Sequence, residues 1–188
     1  TESNILFIES LVRTLASDDG QPIGTTDGLR ISQGVRTVMK MPVAVRRLSV
    51  LLQNLTQGSS KAERENSLTK RLAKWCADDG HGNKGSLSWA LDCDHDAIDL
   101  TTHTNYGFDG TALLDNAAVR TPITLYLLHR IRSMIDGRRF VLFMDEAFKY
   151  LDDPAFIDFA GDEQPTIRKK NGLLVMANQS PSTVLKSS

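Results

Sequence analysis

Two adjacent carboxylates, Asp145 and Glu146, directly follow a short apolar run in the sequence. The run covers residues 140–144 and consists of five bulky apolar residues, which is too short for a typical helix. Such a run predicts a strand that is buried on both faces, as in a parallel sheet. A strand that ends in this way presents two carboxylates side by side to a ligand or a metal ion.

Carboxylates at the end of a buried strand are typical of the Walker B segment of P-loop nucleoside triphosphatases. In that class an Asp helps to hold Mg²⁺ on the nucleotide phosphates, and a further residue orients the attacking water. By this pattern Asp145 is a magnesium ligand, and Glu146 orients or deprotonates the water. The alternative is a core strand that simply stops at a charged turn.

A second apolar run, residues 173–177, ends in Asn178, Gln179 and Ser180. Because helical and strand patterns alternate in this part of the chain, the two runs predict neighbouring parallel strands. Ligands gather at the carboxyl ends of such strands, so Asn178 and Gln179 should lie near Asp145. Their amides could sense a phosphate or position a water, although amides after a strand are also common turn formers.

Three consecutive cations, Arg168, Lys169 and Lys170, precede Asn171 and Gly172. Cations in the last turn of a helix complement its dipole, and Gly172 is the predicted helix stop. The other interpretation is an arginine finger at Arg168, because a guanidinium can brace a γ-phosphate of a neighbouring subunit through two hydrogen bonds.

Together, the segments 143–147, 167–172 and 177–181 resemble the carboxyl-terminal ATPase domain of the type IV secretion and conjugative transfer ATPases, the TrbE/CagE type. The segment 106–111 is also similar to that family. The resemblance implies a RecA-like core, ATP and Mg²⁺ as cofactors, and a hexameric or otherwise oligomeric motor. It further implies other secretion-channel subunits as partners and a cytoplasmic location, peripheral to the bacterial inner membrane.

The resemblance also implies roles for single residues. Asp145 would serve Mg²⁺, Glu146 the water, Gln179 the γ-phosphate, and Arg168 the nucleotide of the neighbouring subunit. Asn178 would lie at the nucleotide, where family members usually have Thr.

The sequence departs from that family in one important respect. It contains no glycine-rich phosphate loop with Gly-Lys-Ser/Thr, and the glycines of residues 80–86 follow a predicted helix instead of a strand. We therefore expect the chain to be a piece of a longer protein and to be inactive alone. Two alternatives stay open at this stage: a catalytically silent scaffold that binds channel subunits, and a DNA-translocating motor of the coupling-protein type.

The elements that must position these residues form an α/β fold, a RecA-like core with a parallel sheet and a helical appendage. Three segments are expected: a core helix in residues 1–20, a helical appendage in residues 21–80, and the ATPase core with the Walker B and sensor strands in residues 81–188. Strand-like stretches are expected at 86–91 and 98–104. Apolar periodicity predicts helices at 4–16, 26–39, a third from residue 42, 61–77, 121–135 and 154–169.

Composition sets further limits. The formal net charge of −1 gives no global footprint for nucleic acid, so direct DNA binding is expected to be weak or absent. No apolar stretch approaches the length of a membrane span.

Cys76 and Cys93 are expected to be reduced thiols. The carboxylates around His95 include metal-ligand types, but they lack the spacing of a zinc site, and we expect them to be solvated.

Overall fold

The computed structural model describes residues 1–17, 23–56, 67–146 and 167–177. The chain divides into two compact units, Thr1–Asp99 and Leu100–Ser188. The division falls between residues 99 and 100, whereas we expected segment boundaries after residues 20 and 80. The functional assignment of those three segments stays a prediction.

The first unit is helical in the residues that the structure describes. Its helices match the apolar periodicity at residues 4–16 and 26–39, and the third predicted helix begins later than Pro42, after a short 3₁₀ turn at Val43–Val45. The bounds are α1 Glu2–Ala16, α2 Thr25–Met39, α3 Leu48–Thr56, α4 Ser67–Ala73 and α5 Ser88–Leu91.

Apolar side chains from four helices form the core of this unit. Helix α1 packs against α2 and α4, and α3 packs against α2 and α4. Gly34 allows the close approach of α2 to α3, since a Cβ there would lie 2.9 Å from Leu51 Cδ1. The indole of Trp75, which is buried, donates a hydrogen bond of 3.0 Å to the carbonyl oxygen of Leu15 and fixes the end of α4 to the end of α1.

The glycine-rich stretch after α4 forms a loop that is closed by its own carboxylates. Asp78 accepts hydrogen bonds from the amides of Gly80 and Gly82, and Asp79 accepts them from those of His81 and Asn83. Amides that already donate to carboxylates cannot cradle a phosphate. The structure thus agrees with the expectation that these glycines are not a phosphate loop.

In the described residues, the second unit has the helices α6 Thr111–Leu114 and α7 Ala117–Ser133, followed by the strands β1 Phe140–Met144 and β2 Gly172–Met176. Residues 167–169, shortly before β2, are helical. Helix α7 begins four residues earlier than predicted, because Asn116 caps it by accepting a hydrogen bond of 3.2 Å from the amide of Ala118. Pro122 therefore lies within the helix, beyond its first turn.

The predicted strands at 86–91 and 98–104 are wrong. Residues 88–91 form the short helix α5, and residues 98–104 carry no strand. The described residues provide no strand that pairs with 98–104. The side chain of Asp96 turns the backbone at the start of this stretch by accepting a hydrogen bond of 2.9 Å from the amide of Ile98.

The two strands pair in parallel, as predicted, with Phe140 opposite Gly172 and Met144 opposite Met176. The prediction that β1 is buried on both faces is wrong, because Val141 and Phe143 are 51% and 73% exposed. They share a face with Leu173, which is 57% exposed, and the described residues place no layer on that face. The fold is thus a mixture of helices with a small parallel sheet, consistent with α/β, and the RecA-like core stays a prediction.

The two cysteines should differ in reactivity. Cys93 is exposed, whereas Cys76 is buried, and this burial, together with the charge of Asp92, raises the pKa of the Cys76 thiol to about 12. At pH 8 only about one Cys76 in ten thousand would be a thiolate. We expect iodoacetamide to modify Cys93 in the folded protein and both cysteines after denaturation, as measured by mass spectrometry. Equal labelling rates in the folded protein would contradict the burial of Cys76.

Candidate functional site

The carboxyl ends of β1 and β2 meet at one edge of the sheet, which we call the carboxyl edge. Beyond the last register pair, the amide of Ala177 donates a hydrogen bond of 2.9 Å to the carbonyl oxygen of Met144. Asp145 and Glu146 follow the last residue of β1 at this edge. Asn178 and Gln179 follow Ala177 directly in the sequence but lie outside the described residues. Asp145 and Glu146 thus lie at the carboxyl end of β1, and their joint role with Asn178 and Gln179 stays a prediction.

A tight turn at the two carboxylates ends β1. Glu146 has a left-handed backbone with φ of 51°, and its amide donates a hydrogen bond of 2.8 Å to the carboxylate of Asp145. A non-glycine residue in this conformation is uncommon and frequently marks a turn or a functional site. Asp145 is exposed and Glu146 is half-buried. The turn therefore holds one oxygen of Asp145 against the backbone and leaves the side chain accessible to a cation.

Arg168 lies at the opposite edge of the sheet, the amino edge, where both strands begin. It precedes β2 by four residues, and β2 begins opposite Phe140. The rise of a strand is about 3.3 Å per residue, so Phe140 and Met144 are separated by about 13 Å. The structure does not bring Arg168 together with Asp145 within one chain.

The backbone around Arg168 is fixed by its neighbours. Ile167 is buried, and the amide of Asn171 donates a hydrogen bond of 3.2 Å to the carbonyl oxygen of Arg168. The predicted helix stop at Gly172 is wrong. Asn171 takes the left-handed conformation with φ of 62°, and Gly172 is already the first residue of β2. Gly172 is glycine for another reason, since a Cβ there would clash with the ring of Phe140 and lie 2.7 Å from Ile167 Cγ2.

The amino edge carries a cluster of exposed cations from two segments. The segments are joined by a hydrogen bond of 2.9 Å from the side-chain amide of Asn171 to the carbonyl oxygen of Gly137. The cluster consists of Arg138, Arg139, Arg168, Lys169 and Lys170. One carboxylate, Asp136, pairs with Arg138 at 2.8 Å. The amide and the guanidinium of Arg138 hold the pKa of Asp136 below its usual value. The sheet therefore has cations at one edge and carboxylates at the other.

Similarity to known proteins covers the whole chain. It is 60% identical over 187 residues to the type IV secretion system protein VirB4 of Brucella abortus (strain 2308), and this alignment includes 100% of the chain. The type IV secretion system protein PtlC of Bordetella pertussis is 50% identical over 98% of the chain, and VirB4 of Bartonella quintana is 36% identical over 100%. The chain belongs to the VirB4 family of type IV secretion system proteins. No protein-family profile matches it.

The chain spans 22% of the length of these VirB4 and PtlC relatives. The family resemblance inferred from the sequence is thereby confirmed, whereas its placement in the carboxyl-terminal domain stays a prediction. Among the described residues, no helix combines the length and apolar character that a membrane crossing needs.

Sequence reasoning missed the role of Asp92, which we had grouped with solvated carboxylates. Asp92 is buried and accepts hydrogen bonds from the hydroxyl and amide of Ser49 and, at 2.6 Å, from the amide of Ala77. Its neighbour Asp94 forms an ion pair of 2.6 Å with Arg47. Asp92 thus binds α3, the end of α4 and α5 of this VirB4-family chain to one another. The spacing of these contacts, 15 and 43 residues along the chain, gives no local sequence signal.

The fit of Gly172 against Phe140 generates a stability prediction. Gly172→Ala should lower the free energy of unfolding by about 2 kcal/mol, because the added methyl overpacks the start of the sheet. Gly107→Ala is the matched control, since no atom lies within 4 Å of a Cβ at that position. Chemical denaturation of both variants and the parent chain measures the difference. Equal stability of the two variants would show that the ring of Phe140 does not occupy this space.

Proposed function

We propose that this chain is part of an ATP-hydrolysing motor that energises assembly of, or transport through, a bacterial type IV secretion or conjugation channel. The observation that carries the proposal is the carboxylate pair, Asp145 and Glu146, at the carboxyl edge of a parallel strand pair in a VirB4-family chain. Ligands of open parallel sheets bind at this edge. The assembly would be a homo-oligomer, with hexamers expected, that associates peripherally with the inner membrane and with other channel subunits.

The donor set at the carboxyl edge suits a hard divalent cation. Mg²⁺ prefers carboxylate oxygens and water, and it is commonly held by one or two carboxylates together with substrate phosphates. Asp145 is exposed, and its carboxylate would be such a ligand. When bound, Mg²⁺ would neutralise part of the charge on the phosphates of ATP.

The remaining roles belong to side chains of the chain itself. Glu146 would accept a hydrogen bond from the attacking water and orient it toward the γ-phosphorus. Gln179 would donate to the γ-phosphate, and Asn178 would contact the nucleotide beside it. Arg168, at the amino edge, would reach the γ-phosphate held by a neighbouring copy and stabilise its charge as the bond to the leaving ADP breaks.

Replacement of Glu146 tests the role of the second carboxylate. In the full-length protein, Glu146→Gln should spare ATP binding and reduce hydrolysis at least a hundredfold, because the amide keeps the shape of the side chain but cannot accept the proton. Binding is measured with a fluorescent ATP analogue and turnover by phosphate release with Mg²⁺. Asp115→Asn removes another exposed carboxylate of the same unit and should leave turnover unchanged.

Full activity of the Glu146→Gln variant would contradict the assigned role. A parent protein that neither binds nor hydrolyses ATP, under conditions where oligomers are confirmed, would overturn the ATPase proposal and favour a catalytically silent scaffold. Turnover that requires added DNA would instead favour a DNA-translocating motor.

Mixing two variants tests whether the site is shared between copies. Arg168→Ala and Glu146→Gln should each keep only a small residual rate as pure oligomers. In an equal random mixture, about a quarter of the interfaces would combine an intact Glu146 with an intact Arg168 from the next copy. We therefore expect phosphate release to recover to about a quarter of the parental rate, provided that sites act independently.

The control for the Arg168 experiment is a neighbouring cation. Lys169→Ala removes the same charge from the end of the same helix, so a role in helix capping would make it as damaging as Arg168→Ala. Arg168→Ala oligomers with full activity, or mixtures that recover nothing although mixed oligomers are present, would each contradict an arginine finger supplied by a neighbouring copy.

A further inference from the structure

Asn171 joins the segment that carries Arg168 to the beginning of the strand that carries Asp145. Its amide donates to the carbonyl oxygen of Arg168 at 3.2 Å, and its carbonyl oxygen accepts from the amide of Phe140 at 3.4 Å. Its side chain donates to the carbonyl oxygen of Gly137 at 2.9 Å. These three hydrogen bonds connect Arg168 with residues 137 and 140 through one residue.

The end of the helix does not by itself explain an asparagine at this position. A residue with φ of 62° at a helix end is most often glycine, which adopts the left-handed conformation without steric cost. Asparagine tolerates this conformation and adds a side-chain amide. In this chain the amide bonds a carbonyl group that lies 34 residues away in the sequence. The helix end needs only the backbone conformation, and the side-chain bond is an additional link.

The partner of this link is itself held in place. Gly137 has φ of 99° in a turn that the side chain of Asp136 closes by accepting the amide of Arg138 at 3.1 Å. The turn leads directly into β1. On the other side, Ile167 is buried and packs against Gly172, so the backbone before Arg168 cannot shift without displacing the start of β2. The side-chain amide of Asn171 thus joins the turn at Gly137 to the segment that contains Ile167 and Arg168.

We infer that Asn171 is a positioning residue for Arg168, whose side-chain bond to Gly137 holds the guanidinium in register with β1 so that it meets the nucleotide of the neighbouring copy. This inference rests on the proposed function of Arg168. It adds that β1 connects two sites. Its carboxyl end carries Asp145 and Glu146 toward the chain's own nucleotide, and its amino end holds Arg168, through Asn171, toward the next one.

The test is Asn171→Gly in the full-length protein. Glycine keeps the left-handed backbone and removes only the side-chain bond. We expect kcat for ATP hydrolysis to fall about tenfold to a hundredfold, because small misplacements of a catalytic group are costly. The KM for ATP should not change. Asn83→Gly is the matched control, because it removes a side-chain amide bond of 2.9 Å to Asp79 in a loop of the helical unit, and it should leave kcat unchanged.

A double-mutant cycle separates positioning from a general structural effect. If Asn171 acts through Arg168, then Asn171→Gly should cause no further loss of kcat in the Arg168→Ala background. Additive losses would show that Asn171 acts elsewhere and would overturn the inference. Asn171→Asp keeps the size of the side chain and its tolerance of positive φ but lacks the donor, and it provides the same test if the glycine variant does not fold.

The outcomes distinguish this inference from the proposal on which it rests. Full activity of Arg168→Ala would overturn the role of Arg168 and with it the positioning role. A large loss in Arg168→Ala together with parental kcat in Asn171→Gly and Asn171→Asp would leave the arginine finger in place and overturn the role of Asn171 alone.

Discussion

The parallel, in-register pairing of β1 with β2 is the constraint on which the candidate site depends. It brings Asp145 to the edge from which Asn178 and Gln179 continue the chain, and it sets Arg168 at the opposite edge. A slip of one residue would turn each side chain of one strand to the other face. The fit of the Phe140 ring over Gly172 opposes such a slip, because a side chain at the neighbouring position would not leave room for the ring. Packing at the amino edge thus determines the geometry at the carboxyl edge.

A buried carboxylate has a comparable organising role in the helical unit. The desolvation of an ionised Asp is costly unless hydrogen bonds compensate for it. Asp92 has donors from Ser49 and from the amide of Ala77, and the Ser49 hydroxyl in turn accepts from the amide of Asp78 at 3.2 Å. This network fixes the start of the glycine-rich loop, which Gly85 completes by leaving no side chain against the carbonyl oxygens of Ala73 and Lys74. The loop therefore packs against the end of helix α4 and has a structural role.

The sequence predicted those features that local patterns encode. Apolar periodicity located α1 and α2, and the two apolar runs gave both strands and their parallel order. The motif resemblance led to Asp145, Glu146 and Arg168, and to the family. The apolar run did not predict the exposed face of β1, because hydrophobicity reports a preference for burial and not the presence of a covering layer. The roles of Asn171 and Asp92 depend on partners 34 and 43 residues away, and no single-sequence pattern reports such contacts.

The opposite placement of the cationic and carboxylate edges has a consequence for how a motor built from such chains could coordinate its sites. Coupling between two sites requires an element whose state both sites influence. Under the proposed function, strand β1 would be that element, because the turn at Asp145 and Glu146 follows its last residue while the Asn171 bond lies just before its first. In the proposed oligomer, a shift of β1 along its axis would move Asp145 and would also change the distance between Arg168 and the nucleotide of the neighbouring copy. Since packed strands with fixed register move as a unit, β2 would move together with β1.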